Sequence, residues 1–234
     1  MSIPSVGRTA PWSVFLARAR QALNASFFPL QIVLGLVLCG TQFVRILSSV
    51  EGQSLSAYLA MALYFLFQLL LAIAAHRTRP SAADRHVIWI YACWLLLVNS
   101  HFLAFALNGS YRWSGNDSLT TALAGGGTVL VFTLAGLQGV PLNDPMPKGL
   151  LGILLKAVPQ FLMAAKIAQE GGGGLPGSAV LAGNLSILGR LDQIIVGIRA
   201  AGWERNRSWM LAGEIGNLLS WLTVSVVWLV WRFS

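Results

Sequence analysis

Of the 234 residues, 56% are hydrophobic and only 10% are charged, with a mean hydropathy of +0.67. Soluble domains carry roughly a quarter charged residues, so a soluble globule is excluded. The net charge of +8 and pI near 10.3 do not indicate nucleic-acid binding, because no dense Lys/Arg block and no polar domain is present to carry it; the surplus is read as membrane topology.

Residues 1–26 interleave Pro4, Arg8, Pro11, Arg18 and Arg20 with Trp12, Phe15, Leu16 and Leu23. Basic and apolar residues sharing a stretch too broken to span a bilayer predict an interfacial amphipathic segment. A cleaved signal peptide fits less well, because a full-length apolar run follows directly in place of a short apolar core and a cleavage site. Seven apolar runs come next, at roughly 27–47, 54–75, 86–107, 119–137, 149–168, 177–198 and 208–231. Each is close to the ~20 residues that a helix needs to cross ~30 Å of hydrocarbon. The runs are continuous and too long for barrel strands, and lipid forbids unpaired backbone, so all seven are expected to be helices. Turn residues punctuate them: Glu51-Gly52-Gln53, Arg79-Pro80-Ser81, Asn108-Gly109-Ser110, Pro141 to Pro145, and Gly171 to Gly174.

The distribution of cations argues for an orientation. Arg8, Arg18, Arg20, Arg77, Arg79, Arg85, Lys148, Arg199, Arg205 and Arg207 fall on the N-terminal side, against Arg45, Arg112, Lys166 and Arg232 opposite. This imbalance places the N-terminus in the cytoplasm. Short loops and a high Arg-to-Lys ratio fit a multi-pass protein of a bacterial inner (plasma) membrane. Cys39 and Cys93 both lie inside apolar runs and read as free buried thiols, which leaves no disulfide framework.

The chain also resembles itself. Thr41-Gln42-Phe43 near the end of the first run is answered by Pro159-Gln160-Phe161 near the end of the fifth. Ser56-Ala57-Tyr58-Leu59-Ala60 is answered by Ser178-Ala179-Val180-Leu181-Ala182, and Asp84-Arg85 with Trp89, Ala92 and Ser100 by Glu204-Arg205 with Trp209, Ala212 and Ser220. All three offsets are close to 120 residues, in the same order, which predicts a duplication. The run at 119–137 then has no counterpart. Three crossings reverse the chain, so a fourth is needed before a second triplet can begin on the same side as the first. The expected architecture is an all-α membrane protein of seven transmembrane helices in a 3+1+3 parallel-repeat (SWEET-like) arrangement. Its parts are a segment 1–26, a first repeat 27–107, a linker with the fourth helix at 108–148, and a second repeat 149–234. Parallel repeats of this kind build carriers whose site lies between the halves near the midplane.

With Pro159-Gln160 followed by a Gly-rich turn to Ser178, and Thr41-Gln42 followed by Ser48, Gly52, Ser54 and Ser56, the chain resembles the PQ-loop repeat family, which includes the SWEET sugar transporters and cystinosin-like exporters. The bacterial vitamin-riboside carriers share that general fold. The first repeat departs from the family in having Thr41 in place of proline, and the second loop is longer. The family usually puts these loops on the cytoplasmic side, the reverse of the Lys/Arg count. The resemblance implies a substrate site between the halves with an Asn from each third helix as a wall, here Asn99 and Asn217. It also implies a hinge at Thr41, Gln42, Pro159 and Gln160. Proline inside a helix removes a backbone bond and crowds the preceding turn, which gives the hinge a physical basis.

Polar groups at membrane depth are costly and face cavities or one another. Tyr64, Gln68, Asn99, Ser100, His101, Lys156, Asn184, Arg190, Asp192, Glu214, Asn217 and Ser220 are such groups. Asn99, Ser100, Asn184, Asn217 and Ser220 are candidates for binding a polar substrate, with Trp94 and Trp221 available to stack on it. Asp192 and Glu214 are candidates for proton coupling, because low dielectric raises a carboxylate pKa; Lys156 and Arg190 could instead pair with them. There is no metal-ligand spacing, no nucleophile elbow, no phosphate loop, and no Lys in the seventh run for a retinal Schiff base. No enzyme, cofactor or metal is therefore expected.

The expected function is alternating-access transport of a small polar metabolite (a sugar, amino acid or nucleoside-like compound) between two three-helix bundles. The expected partners are that small-molecule substrate and the lipid bilayer, with a homo-oligomer compatible and nucleic acid not expected. The alternative is a non-transporting PQ-loop-like membrane scaffold or sensor, whose mark would be interhelical polar pairs closing the centre.

Overall fold

The computed structural model describes residues 11–78 and 80–234, with side chains from residue 27 onward except at 79 and 82–84. Among the described residues the regular structure is all helical, joined by short turns and loops, without strands. Seven helices are long and apolar enough to cross a membrane. They are α1 (Pro11–Ser48), α2 (Leu55–Thr78), α3 (Ala82–Asn108), α4 (Gly115–Leu137), α5 (Pro145–Glu170), α6 (Gly177–Ala201) and α7 (Arg205–Phe233). The side chains of the expected interfacial segment 1–26 lie outside the described residues, but its backbone from Pro11 runs without a break into the first span.

Local chemistry fixes where the helices start and stop. Asp144 accepts from the Met146 N–H just ahead of Pro145, whose missing donor and preset φ suit a first helical turn. Ser114 and Asp117 form a reciprocal capping box at the start of α4. Gly171 ends α5 with φ +99°, a conformation that side-chain-bearing residues rarely adopt.

Helix α5 is not uniform. It is α-helical over Pro145–Gly152, π-helical over Ile153–Ala157 and α-helical again over Val158–Glu170. Pro159 has no N–H to give the Leu155 carbonyl and crowds it sterically, and the chain accommodates this by widening the preceding turn, where the Val158 N–H reaches the Ile153 carbonyl. The corresponding stretch of α1 around Thr41 is uninterrupted α-helix, with the Thr41 hydroxyl bonded back to the Val37 carbonyl at 2.7 Å.

Helix α3 packs on both α1 and α2, whose backbones do not approach each other among the described residues. In the same way α7 packs on both α5 and α6, which do not approach each other. Between these groups α1 meets α6 and α2 meets α5, while α4 lies against α2 and α5. Each group has its own apolar core. One is centred on Cys39, Ile46, Tyr58, Trp94 and Phe105, the other on Met163, Ile167, Ala179, Ile187 and Trp221. A smaller cluster of Ala60, Ala124, Val131, Leu151 and Leu155 holds α4 in place. Large apolar side chains such as Leu96, Val129, Leu137 and Val230 face outward, as a lipid solvent requires.

Candidate functional site

A cavity of 520 Å³ lies between the α1–α3 group and the α5–α7 group, within the range of small-molecule sites. Exposed residues Ala75, Val87, Asn206 and Met210 mark its mouth, on the side where α1, α3, α5 and α7 begin. It reaches inward to Tyr58, His101, Gln160 and Trp221.

The opposite end is closed by two loops. Gly171 to Leu175 is buried, and the Gly174 N–H donates to the Glu51 carbonyl at 3.0 Å. Arg45 Nε donates to the Gly173 carbonyl at 2.5 Å. A Cβ on Gly172 would strike Trp228 and Trp231, and one on Gly174 would lie 2.8 Å from the Glu51 carbonyl oxygen. The glycine run is therefore a close-packing device, and its length serves that contact.

Glu214 is the polar centre of the cavity wall. Its Oε1 accepts from Lys156 Nζ at 3.1 Å and from Arg190 Nε at 3.0 Å, and its Oε2 accepts from Asn217 Nδ2 at 3.0 Å. Arg190 Nη1 reaches Ser186 Oγ at 2.7 Å and Gln31 Oε1 at 3.2 Å, which joins α6 to α1. Gln160 Nε2 donates to Asn217 Oδ1 at 3.2 Å and Gln160 Oε1 accepts from Ser220 Oγ at 2.6 Å. The Lys156 ammonium also lies 4.9 Å from the Tyr64 ring centre. A continuous polar chain thus runs from α1 through α6 and α7 to α5.

On the α1–α3 side, Gln42 Nε2 donates to Gln53 Oε1 at 2.9 Å and to the Tyr58 hydroxyl, and Tyr58 donates to Gln53 Oε1 at 2.6 Å. His101 stacks on Tyr58 with ring centres 4.4 Å apart. Its Nδ1 lies 3.1 Å from the Val98 carbonyl oxygen, which can only accept, so the proton sits there and the buried Nε2 has no hydrogen-bond partner.

A second buried cluster lies beside the closed end. Asp117, fully buried, accepts from Ser54 Oγ at 2.8 Å, Ser56 Oγ at 2.9 Å, Ser114 Oγ at 2.6 Å and Lys166 Nζ at 3.1 Å. Tyr111 completes it. Its hydroxyl accepts from the Leu55 N–H at 2.9 Å, and burial, followed by its bond to Asp117, raises the phenol above its ordinary pKa. These contacts tie the starts of α2 and α4 to the end of α5.

Asn217, Trp94, Trp221, Gln42, Gln160 and Glu214 line the cavity. Ser220 sits behind Gln160 and holds it, and Pro159 lies buried at the π-turn. Asn184 is bonded to the Val180 carbonyl and Ser225 Oγ, away from the cavity. Asn99 and Ser100 bond back to the Leu95 and Leu97 carbonyls without lining it, and Asn99 is exposed on the outer face, as Leu219 is on α7. Residues two positions apart point about 200° apart on a helix, so Asn99 and Asn217 face opposite ways relative to their groups. Asp192 is likewise exposed on the outside of α6. Thr41 is half-buried and not part of the lining.

Gln31 and Asp117 were not legible as site residues. Gln31 is one amide in an apolar run, and Asp117 precedes the apolar stretch of α4, where only the Ser114-x-x-Asp117 cap spacing marks it. Among the described residues no group of three or more His, Cys, Asp or Glu side chains could hold a metal ion. Comparison with known protein families, characterised proteins and solved structures yields no match.

Proposed function

We propose that the protein is a membrane carrier for a small polar solute, working by alternating access between two like three-helix bundles joined by α4, as the resemblance to PQ-loop carriers implies. The observation that carries this reading is the cavity itself: largely apolar and aromatic with one polar cluster around Glu214, lying between the two groups, open at one end and closed at the other by a pair of loops. A stationary scaffold has no need of such an asymmetric gap.

The lining supports the two-fold relation. On α2 and α6, Met61 answers Gly183, Tyr64 answers Ser186, Gln68 answers Arg190 and Ala72 answers Ile194, at a constant spacing of 122 residues. On α3 and α7, Ile90, Trp94 and His101 answer Met210, Glu214 and Trp221 at a spacing of 120. Equivalent faces turned toward one gap are what a rocking pair of bundles needs. Asn217, Gln160, Trp94 and Trp221 are the solute-facing groups in this reading, and the π-turn before Pro159 is the hinge. The Lys/Arg count makes the open side cytoplasmic.

One observation favours the scaffold or sensor alternative. The Gln31–Arg190–Glu214 chain bridges the two groups and could lock them. The decisive experiment places a single cysteine at Asn217 in a background lacking Cys39 and Cys93, in proteoliposomes. A carrier exposes that thiol to impermeant reagents from each face in turn. Labelling from one face only, with no solute flux, would establish the static alternative.

A further inference from the structure

Among the described residues, the charged side chains that line the cavity are Lys148, Lys156, Arg190 and Glu214. Lys156 and Arg190 converge on one oxygen of the same carboxylate, at 3.1 and 3.0 Å. One carboxylate neutralises one cation, so among the described residues a full positive charge remains uncompensated in the middle of the wall. The positive-inside rule does not account for it, because that rule acts on the connections between spans, whereas Lys156 and Arg190 lie well inside theirs. A cation held at membrane depth is costly unless something of opposite charge shares its site. Nearer the mouth the same imbalance recurs: Lys148 faces the cavity, while the nearby Asp144 is already engaged by Arg205 at 3.3 Å. A positive mouth leading to a positive centre attracts negative solutes.

The remaining wall is aromatic. Tyr64, Phe65, Tyr91, Trp94, Trp209 and Trp221 all contribute, and Phe65 and Trp94 are stacked with ring centres 5.5 Å apart. Such faces accommodate flat apolar bodies.

Building on the carrier reading, we infer that the solute is a small organic anion with a flat apolar body, whose negative group is received by Lys156 and Arg190 while its ring lies against the aromatic wall. The solute's anionic oxygens compete with Glu214 for the two cations, so Glu214 holds the site in register when it is empty and yields one cation when it is filled.

The test uses isothermal titration calorimetry of the purified full-length protein with four probes that share one ring: benzoate, phenylphosphonate, benzamide and benzylammonium. Benzoate or phenylphosphonate should bind at least about tenfold more tightly than benzamide, the difference expected for a charge-assisted bond over a neutral one. Lys156→Gln should weaken the anions far more than benzamide and so erase that preference, and Glu214→Gln should tighten the anions. Should either variant fail to fold, added chloride on the unaltered protein serves instead, weakening the anions and not benzamide. Equal binding of benzamide, a preference for benzylammonium, or no binding of any probe would overturn the inference. Anion binding without flux in proteoliposomes leaves this inference standing and removes the carrier reading. Flux of a neutral or cationic solute that benzoate does not inhibit does the reverse.

Discussion

The backbone N–H of Gly174 donates to the carbonyl oxygen of Glu51 over 3.0 Å, joining the loop after α5 to the loop after α1. Each loop also has a turn bond of its own, from the Gln53 N–H to the Val50 carbonyl and from the Leu175 N–H to the Gly172 carbonyl, both at 3.0 Å. The Gly174–Glu51 bond and the Arg45 side chain on the Gly173 carbonyl are polar links between them, which makes the pair a separable seal between two helix groups.

That seal should open when the glycines are filled. A Cβ at Gly174 would lie 2.8 Å from the Glu51 carbonyl oxygen and 2.9 Å from that of Ser49, both backbone atoms that cannot swing aside. Gly174→Ala is expected to part the loops and let an impermeant maleimide added at the loop face reach Cys39, which lines the cavity and is fully buried. With Cys93 replaced by Ser, labelling no faster than in the parent would show that the loops are not the barrier.

Asp117 and Lys166 form an ion pair almost sealed from solvent, with side chains 0% and 2% exposed. Removing one partner strands the other, at a cost of about 3–5 kcal/mol. Lys166→Met should therefore destabilise strongly, and Asp117→Asn in the same chain should restore much of the loss. Denaturant melts in detergent of the two single variants and the double would decide this, since simple additivity would exclude the pairing.

Tyr111 titrates in the alkaline range. Its phenol is held above the ordinary value near 10 by burial and by Asp117. The folded protein therefore keeps a proton that the unfolded chain releases, and the associated stability, complete below pH 10, is lost as pH rises beyond it. Tyr111→Phe should flatten that decline and lower neutral-pH stability by about 1 kcal/mol through loss of the Leu55 contact. An unchanged slope in melts from pH 8 to 11 would exclude Tyr111 as its source.

The widened turn at Ile153–Ala157 exists because Pro159 cannot bond to Leu155. Pro159→Ala permits a regular helix there and is expected to slow solute flux severalfold while expression and fold are retained. Uptake into proteoliposomes at the parental rate would remove the hinge role.

Glu214 is surrounded by Lys156, Arg190 and Asn217, all donating to it, and Asp192 lies on the outer face. Even when one cation is ceded to the solute, the other cation and Asn217 still donate to this carboxylate, so flux should not respond to an imposed pH gradient. Acceleration by a gradient, abolished by Glu214→Gln, would contradict this.

The seven helices long and apolar enough to cross a membrane could be read from the chain alone, because the length rule is set by the bilayer. Runs such as 54–75 and 177–198 reappear as Leu55–Thr78 and Gly177–Ala201 with small shifts at the ends. Which polar residues face inward was only partly legible. The amide of Asn99 and that of Asn217 look alike in sequence, yet a difference of two positions in register turns one toward lipid and the other toward the cavity. Beyond its cap spacing Asp117 carries no signal in the sequence, because its worth depends on Ser54, Ser56 and Lys166, which are remote in the chain.

By itself, the sequence determined that this protein is helical and suited to a membrane, since hydrocarbon admits so few backbone conformations that length and composition decide. Only the tertiary structure decided that Lys156 and Arg190, from two different helices, share the carboxylate of Glu214 on a third, and that two distant loops close one end of the gap. Ion pairing and close packing depend on distances of a few ångströms between residues far apart in the chain, and no local pattern encodes those.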